Sequence, residues 1–434
     1  MTQRYRGQEL AIVLWGAITF AALLASYTAF RPVRDALVLD GNPDDIPWLF
    51  TATFIAAMIA SPLWSRLLAN RPKRRVVPLA FHVFAACAVG FAGLVAAEVA
   101  PVWVGRVFYV WGSVFNIFVV SVFWSLLNDL LGPRTAKKLY GPIAAGGTIG
   151  TIVGPALTKL LVGYIGVAGV LVMSALLLEV AVLGVWRVKK IGESLDHVPV
   201  DEPAHASALT GARQVVRSPY LLAIVGYVLC TATAATFLYL EQAHIVKDAF
   251  ANRLERTEFF ATLDLAIAIA TLVVQTVVAA PLLALLGPGL VLCVLPLAQG
   301  VGISVLAIAP SVSVLAVIMV LSRAATHGLT RPARELLFTV VDREDKYHAK
   351  NMIDIVGYRF GDLASSWLHK GLLALGAGTT ALAIAAAPLA ALWIGLALVL
   401  GAGFRRRGGD ASRASHEAAV APTSDGDQRE PRAR

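Results

Sequence analysis

Twelve apolar runs, each close to twenty residues long, dominate the sequence. A run of about 20 residues is long enough to cross the hydrocarbon core of a bilayer as one helix. Because no water is present there to bond the backbone, helices are expected and open strands are excluded. The sequence therefore predicts an all-α, polytopic membrane protein. The predicted spans are Leu10–Phe30, Ile46–Ala69, Val76–Ala97, Val102–Leu130, Tyr140–Tyr164, Val167–Val188, Tyr220–Glu241, Phe259–Leu286, Leu290–Ala309, Val312–Leu329, Met352–Leu375 and Ala381–Phe404.

The composition supports the same class. Of the 434 residues, 57% are hydrophobic and only 15% are charged, whereas a soluble domain carries about 25% charged residues. This excludes a soluble enzyme, a disordered chain and a secreted disulfide scaffold. The three cysteines, Cys87, Cys230 and Cys293, lie in separate apolar runs, so neither a metal site nor a disulfide framework is predicted.

The basic residues indicate how the chain is oriented. If the N-terminus is cytoplasmic, 27 of the 37 Lys and Arg residues fall on the cytoplasmic side. The opposite connections carry acidic residues such as Asp40, Asp44 and Asp45. By the positive-inside rule both termini are predicted to be cytoplasmic. Arg4 and Arg6 precede the first run, but no small-residue cleavage site follows it, so a retained first helix is expected rather than a signal peptide.

The longest polar stretch between spans divides the chain into two halves. Residues 1–190 are predicted to form an N-terminal six-helix bundle and residues 219–404 a C-terminal one, joined by a central cytoplasmic loop at 191–218. Residues 405–434 are small, polar and charged, so a disordered cytoplasmic tail is expected there.

Short repeated motifs indicate that the halves are related. VRDAL (33–37) follows the first span, and VKDAF (246–250) follows the seventh. RPARELL (331–337) follows the tenth span and is close to RPVRDAL (31–37). Duplicated halves are expected in transporters, although chance similarity between helix ends explains such short matches as well.

Two series of glycines predict close helix packing. Gly146, Gly150 and Gly154 lie four residues apart in the fifth span, and Gly357 and Gly361 are similarly spaced in the eleventh. This spacing leaves a groove on one helix face that a neighbouring helix can enter. A phosphate-binding loop is the alternative for residues 146–150, but no strand precedes them and no GK[ST] follows.

Ionisable residues within the spans are the strongest functional candidates, because a charge in lipid must face protein, water or a partner. In a six-plus-six transporter the first, fourth, seventh and tenth spans line the central cavity. Arg34, Arg106, Glu241 and Arg323 are therefore predicted to face it. Three basic side chains and one acidic side chain around the cavity favour the binding of an anionic solute. Asp264, in the eighth span, is interpreted either as a proton-coupling carboxylate or as an interhelical hydrogen-bonding group.

Several of these charges also have simple structural explanations. Arg359 and Asp362, three residues apart, can pair along one helix face. Glu179 has apolar neighbours on both sides and can be a neutral, hydrogen-bonded packing residue. His327 and Lys370 lie near predicted helix ends, where their polar groups can reach water.

No catalytic or cofactor motif is present. The chain has no HExxH, no GxSxG and no Cys/His cluster. Its basic runs lack the interleaved aromatic residues of a nucleic-acid surface. The sequence therefore predicts a protein that is not an enzyme, with no cofactor and no bound metal or nucleic acid.

Several segments together carry a family resemblance. The chain resembles the ATP/ADP translocase-type nucleotide transporters of plastids and intracellular bacteria, and most of all their relatives in free-living bacteria, a distant branch of the major facilitator superfamily. The resemblance covers nearly all of residues 10–404. Its strongest segments are YTAFRPVRDALVL (27–39), YVWGSVFNIFVVSVFWSLLNDL (109–130), AKKLYGPIAAGGTIGTIVGP (136–155), YLEQAHIVK (239–247) and DREDKYHAKNMIDIVGYRFGD (342–362).

Four charged positions of that family map onto this chain with different outcomes. A family lysine is Arg34 here, a glutamate is Tyr109, a second glutamate is kept as Glu241, and a second lysine is Asp362. The last change reverses a charge, and the resemblance implies that Arg359 takes over that role.

The resemblance implies a secondary transporter that moves a nucleotide or related phosphorylated anion by alternating access, with two bundles rocking about a midplane site. It also implies location in the bacterial inner membrane, with the lipid bilayer and a small anionic solute as partners; the oligomeric state is not predicted. Two alternatives remain open from the residues. One is a proton-coupled permease for another solute, with Glu241 and Asp264 carrying protons, and the other is a membrane partner or sensor that transports nothing.

Overall fold

The computed structural model describes residues 2–69, 73–131, 133–192, 213, 215–341, 350, 352–353, 357–376 and 379–420, and every regular element within them is helical. The α-helices are α1 (Thr2–Val38), α2 (Ile46–Ala69), α3 (Lys73–Ala96), α4 (Pro101–Leu130), α5 (Pro133–Gly192), α6 (Pro219–Ala249), α7 (Arg253–Val273), α8 (Ala279–Leu292), α9 (Val294–Ile308), α10 (Val312–Ala325), α11 (Arg331–Leu337), α12 (Tyr358–Ala374) and α13 (Thr379–Val420). Most of the predicted central loop, 191–218, lies outside the described residues.

Eight helical stretches among the described residues are long and apolar enough to cross a membrane. Two of them, Lys138–Ile191 and Arg253–Leu292, have 54 and 40 residues, about twice the length that one crossing needs. Each contains a glycine with a positive φ, which is 68° at Gly166 and 71° at Gly287. The prediction of an all-helical, polytopic protein is confirmed, while the number of twelve crossings stays a prediction.

The first part of α5 packs against α1 through glycines. A Cβ atom added at Gly146, Gly150 or Gly154 would collide with the backbone of α1. The carbonyl oxygens in the way belong, in that order, to Ala17, Ala21 and Ala25. Only glycine permits helix backbones to approach so closely. The matching order of the contacts shows that this part of α5 runs parallel to α1.

The chain reverses at Gly166 and returns along the same helix. The hydroxyl of Ser174 donates to the carbonyl oxygen of Ser26 over 2.9 Å. Ten residues further along α5, Gly184 faces Thr19, which lies earlier in α1. The second part of α5 is therefore antiparallel to α1, so α1 is clamped between the two arms of one bent helix.

The glycines of α12 differ from each other. A Cβ atom at Gly361 would lie 2.7 Å from the side chain of Ala232 on α6, whereas the nearest neighbour at Gly357 is 3.9 Å away. Close helix contact in the second half is therefore concentrated at Gly361.

Three apolar clusters organise the molecule. One belongs to the first half, between Ile12 and Val188, and a second to the other half, between Val215 and Leu400. The third contains residues of both halves, from Ala36 to Tyr109 and from Leu238 to Met319. It lies around the C-terminal end of α1, which we call the closed end, because there the two halves share one core.

Between residues 215 and 341 of the second half, two π-helical turns interrupt the α-helices. Val274–Val278 follows α7, and Thr326–Thr330 joins α10 to α11. The two turns touch, since a Cβ atom at Gly328 would lie 2.6 Å from the side chain of Val274. The wide turns therefore pack directly against each other.

The last helix is longer than predicted. We expected disorder from residue 405, but α13 continues to Val420. Alanine and arginine favour helix, and they are frequent between 405 and 420, so the helix extends beyond the apolar run. Residues 421–434 lie outside the described residues.

The glycine packing predicts opposite effects for one substitution at two places on α5. Gly150→Ala places a methyl group against the backbone of α1, and overpacking of this kind costs about 1–3 kcal/mol. At Gly163 nothing lies within 4 Å of the added atom, so Gly163→Ala is expected to leave the thermal midpoint unchanged or raise it. Scanning fluorimetry of the detergent-solubilised proteins measures both midpoints. Equal midpoints for the two variants would contradict the packing described.

Candidate substrate cavity

A cavity of about 730 Å³ lies between the two halves of the molecule. Its walls come from α1, α4 and α5 on one side and from α7, α10, α11 and the π-helical turns on the other. It extends along α1 from Arg31 back to Phe20, away from the closed end. Its polar and charged lining residues are Tyr27, Thr28, Arg31, Asn116, Thr148, Thr151, Asp264, Thr271, Gln275, Arg323, His327, Arg331 and Glu335.

One ion pair crosses this cavity from half to half. Nη2 of Arg31, on α1, lies 2.5 Å from Oδ1 of Asp264, on α7. Both residues line the cavity, and the Asp264 side chain is the more buried of the two. An ion pair is strong where water is scarce, so this bridge ties the halves together at the centre of the molecule.

A smaller cavity of about 120 Å³ continues from Arg31 toward the closed end. Here Arg34 donates from Nε and Nη2 to Oδ1 of Asp35, over 3.0 and 2.7 Å. The hydroxyl of Tyr239, from the other half, lies 3.3 Å from the same oxygen. The guanidinium of Arg34 also lies 4.9 Å from the ring centroid of the buried Tyr109. Arg34 is therefore held on all sides.

Arg323 lines both cavities. Within the described part of the chain, its guanidinium makes no hydrogen bond or ion pair. The charged groups that act on it most strongly are Arg31 and Asp264. Arg31 and Arg34 are each occupied by a carboxylate. Arg323 is therefore the cation most available to an incoming anion.

The charges around the smaller cavity do not cancel. Three guanidinium groups, from Arg31, Arg34 and Arg323, face two carboxylates, from Asp35 and Asp264. In the larger cavity Arg331 adds a cation, while Glu335 is bonded to Lys350 over 2.6 Å. The cavity walls thus carry an excess of positive charge, and no group of three or more metal-ligating side chains is found among the described residues.

Glu241 was predicted to face the cavity but lies elsewhere. Its Oε1 is 3.1 Å from Nε2 of His369, on α12. Tyr239 faces the smaller cavity, and a helix turns by about 200° over two residues. Glu241 therefore points away, toward α12.

The structure also places Arg106 outside the cavity. Arg106 pairs with Asp45 over 2.6 Å and lies over the ring of Trp103 at the closed end. Asn116, which lines the main cavity, is ten residues further along α4, or about 15 Å. The position of Arg106 along the helix, rather than its rotation, separates it from the cavity.

The candidate positions on α12 lie outside the central cavities as well. Oδ1 of Asp362 accepts a hydrogen bond of 3.3 Å from Thr236 of α6. Neither Arg359 nor Asp362 lines either central cavity. Of the predicted site residues, the structure brings together the binding candidates Arg323, Arg34 and Tyr109 and the coupling candidate Asp264.

Several cavity residues were not predicted. Tyr27 and Thr28 lie one turn before Arg31 on the same face of α1. Asp35 accepts hydrogen bonds from both Arg34 and Tyr239. The positions on α1 carry a signal that the sequence contains, since residues three and four apart share a helix face. No local sequence pattern predicts the position of Tyr239, because its partner, Asp35, is 204 residues away.

A polar network covers the closed end. Arg253 donates to Asp40 over 2.7 Å, and Arg256 donates to the carbonyl oxygen of Leu39 over 3.2 Å. Lys247 donates to the carbonyl oxygen of Gly41 over 2.6 Å. Burial raises the pKa of the Asp40 carboxyl above its ordinary value, and the guanidinium groups of Arg253 and Arg256 oppose this effect. All of these bonds connect the second half to the first.

A match to a sequence profile identifies the family of this chain. The sequence profile of the Major Facilitator Superfamily matches residues 10–341. The chain belongs to the Major Facilitator Superfamily. A second profile, that of the TLC ATP/ADP transporter, matches residues 291–404.

Named relatives confirm the resemblance found in the sequence. The chain is 23% identical over 465 residues to ADP,ATP carrier protein 1 of Chlamydia muridarum (strain MoPn / Nigg), a match covering 89% of this chain and 87% of the relative. The protein of the same name from Chlamydia trachomatis serovar D matches to the same extent.

Solved structures agree on the fold. The nucleoside transporter NupG superposes with a TM-score of 0.58 at 14% identity, covering 92% of this chain and 99% of NupG. A bacterial homologue of the iron transporter ferroportin, in an inward-facing state, gives 0.60 at 15% identity, covering 92% and 98%. The chain is therefore an integral membrane transporter with the fold of this superfamily.

The closed-end network predicts a specific effect of Asp40→Asn. The change removes a carboxylate that Arg253 contacts across the halves, and a hydrogen bond to a charged group contributes about 1.5–3 kcal/mol. The closed end should then open about tenfold more often or more. A cysteine at the buried Val38, in a chain with its three native cysteines replaced, is expected to react correspondingly faster with a maleimide in detergent.

Asp45→Asn is the matched control for this experiment. It also removes an ion pair at the closed end, but Arg106, its partner, belongs to the same half. No change in the labelling rate is expected. Equal acceleration by both substitutions would show that the Asp40 network does not hold the halves together.

Proposed function

We propose that the chain is a secondary active transporter that moves a nucleotide or a related phosphorylated anion by alternating access. The observation that carries the proposal is Arg323, a half-buried cation without a bonded partner among the described residues, in a cavity whose walls are positive on balance. The names of the chlamydial relatives support a nucleotide as the solute.

Arg31 and Arg323 are the proposed phosphate ligands. Guanidinium groups bind phosphate through two parallel hydrogen bonds, which gives both strength and direction. The two residues come from opposite halves and line the same two cavities. A phosphate bound by both groups therefore replaces the direct contact between the halves with a contact through the solute.

Asp264 competes with the solute for Arg31. In the absence of solute, its carboxylate occupies Arg31 and closes the bridge between α1 and α7. An incoming phosphate must displace it, since two anions cannot share one guanidinium without repulsion. Binding is thereby coupled to release of the bridge, which is the differential interaction that a conformational change requires.

The wall of the first half is suited to the rest of the solute. Phe20, Tyr27 and Asn116 combine aromatic surface with an amide that can bond the edge of a base. Arg34, which is paired with Asp35 and lies over the ring of Tyr109, supports this wall at its deep end. Glu241, Arg359 and Asp362 lie outside the two central cavities, and we propose that they stabilise the fold in this conformation rather than bind the solute.

The orientation proposed from the sequence gives the cavity a direction. With both termini in the cytoplasm of a bacterial inner-membrane protein, the closed end faces outward, and the main cavity extends toward the cytoplasm along α1. The structure then corresponds to an inward-facing state in which the contacts of Asp40, Arg253 and Arg256 seal the outer side.

A proton-coupled permease for another solute is the second candidate. The position of Asp264 favours it, because a carboxylate that bridges the halves changes partners during transport. In this scheme protonation of Asp264, rather than a bound phosphate, releases Arg31. Glu241 is a weaker proton carrier in this conformation, since it is bonded to His369 outside the central cavities.

Uptake of labelled nucleotides into vesicles containing the purified protein tests the proposal. Arg323→Gln is expected to lower uptake about tenfold or more, because one charge-assisted hydrogen bond is worth about 1.5–3 kcal/mol. Arg323→Lys keeps the charge without the bidentate geometry and is expected to be intermediate. Arg106→Gln is the matched control, as Arg106 lies at the closed end, and it should transport normally.

The same uptake assay distinguishes the nucleotide transporter from the proton-coupled permease. Nucleotide exchange that does not depend on a pH gradient supports the first, whereas uptake of another solute that requires a pH gradient and is lost in Asp264→Asn supports the second. Absence of uptake of any nucleotide or phosphate compound, under gradients of either direction, would overturn the first. Wild-type rates in Arg323→Gln would remove the proposed site even if nucleotides were transported.

A further inference from the structure

A hydrogen-bonded pair of ionisable residues lies on the outer surface of the first half. Nδ1 of His82, on α3, is 2.9 Å from Oε1 of Glu179, on the second part of α5. The side chains are 44% and 41% exposed, respectively. Neither residue lines the central cavities, so the pair plays no part in the transport mechanism proposed above.

This pair lies at the depth of the hydrocarbon core. The stretch from Gly166, where α5 reverses, to Ile191 forms one arm of a membrane-spanning helix, and Glu179 is near its middle. His82 lies within the candidate span Val76–Ala96. Polar groups that face lipid at this depth are costly, so a surface of this kind is expected to be covered.

The internal hydrogen bond leaves half of the bonding capacity unused. An imidazole has two ring nitrogens and a carboxylate two oxygens, and the bond to Glu179 uses one of each. Among the described residues, no further hydrogen bond is made by Nε2 of His82 or by Oε2 of Glu179. Both atoms are therefore available to a neighbour in the membrane.

The surroundings of the pair permit close approach by another helix. The neighbouring exposed side chains are apolar, including those of Val83 and Leu176. On α3, nothing lies within 4 Å of a Cβ atom added at Gly90 or Gly93. Apolar side chains beside small residues are typical of helix contacts in membranes, where packing and interhelical hydrogen bonds drive association.

We propose that this face of α3 and α5 binds a second copy of the chain in a two-fold symmetric dimer. A two-fold contact brings the same patch of both copies together, so the patch must complement itself. The patch does so when the imidazole is protonated, because both ring nitrogens then donate, one of them to Glu179 of the same copy, and the second carboxylate oxygen of Glu179 accepts from the other copy. In the dimer, His82 of each copy bonds Glu179 of the other, and the four side chains form one closed network.

Site-directed cross-linking in the membrane tests the dimer. In a chain whose three native cysteines are replaced by serine, Val83→Cys places a thiol beside His82 on a side chain that is 53% exposed. A short bis-maleimide is expected to yield a dimer-sized product in vesicles at low protein density. Val301→Cys, on α9 of the other half and 63% exposed, is the matched control and is expected to stay monomeric.

Substitutions in the pair show whether its hydrogen bonds hold the copies together. His82→Leu and Glu179→Leu each remove bonds at both symmetric positions and are expected to weaken dimerisation about fivefold to tenfold. The exchanged double variant, His82→Glu with Glu179→His, keeps the network and is expected to restore cross-linking. Retained monodispersity of each variant in detergent distinguishes lost association from misfolding.

Three results would overturn the proposal. One is a yield from Val83→Cys no higher than from Val301→Cys. Another is unchanged cross-linking in both leucine variants. The third is a product of a different mass in native membranes that contains one copy and another protein, which would replace the second copy as the occupant.

Discussion

A charged side chain inside a membrane protein must be paired or face water, and this constraint accounts for how the two halves meet. Asp264 occupies Arg31 across the cavity, and Asp35 occupies Arg34 beneath Tyr239 of the other half. At the closed end the same rule joins Arg253 to Asp40. Polar contacts thus link the halves at the cavities and beside the shared apolar core of the closed end. Polar contacts can be exchanged for water or solute more easily than a packed apolar core.

The contrast with the interior of the first half is clear. There α1 is enclosed by both arms of α5, and glycines bring the backbones together. A helix clamped in this way cannot shift relative to its own bundle without losing many contacts. Arg31, near the C-terminal end of the same helix, is consequently fixed in position relative to the first half, while its partner Asp264 belongs to the second half.

The sequence predicts a large part of this architecture because membrane insertion imposes simple rules. Apolar run length identifies the helices, and the glycine spacing at 146–154 predicts the packing of α5. These rules do not predict the rotation of each helix about its own axis. Glu241 and Tyr239 are two residues apart on α6, and only contacts with other helices decide which of them faces the cavity. The partner of Arg31 is 233 residues away, and no local pattern specifies such a pairing.

The π-helical turn at Thr326–Thr330 sets which side chains share the cavity wall. In a regular α-helix, residues four apart drift by about 40° per step, so a series at every fourth position winds away from one wall. The extra residue held in the wide turn cancels much of that drift. Arg323, His327, Arg331 and Glu335 consequently stay aligned along one wall, as the lining shows. Tightening this turn into a regular α-helix without removing a residue would restore the drift. The outer part of the row would then turn away from the solute path, while Arg323 would stay in place.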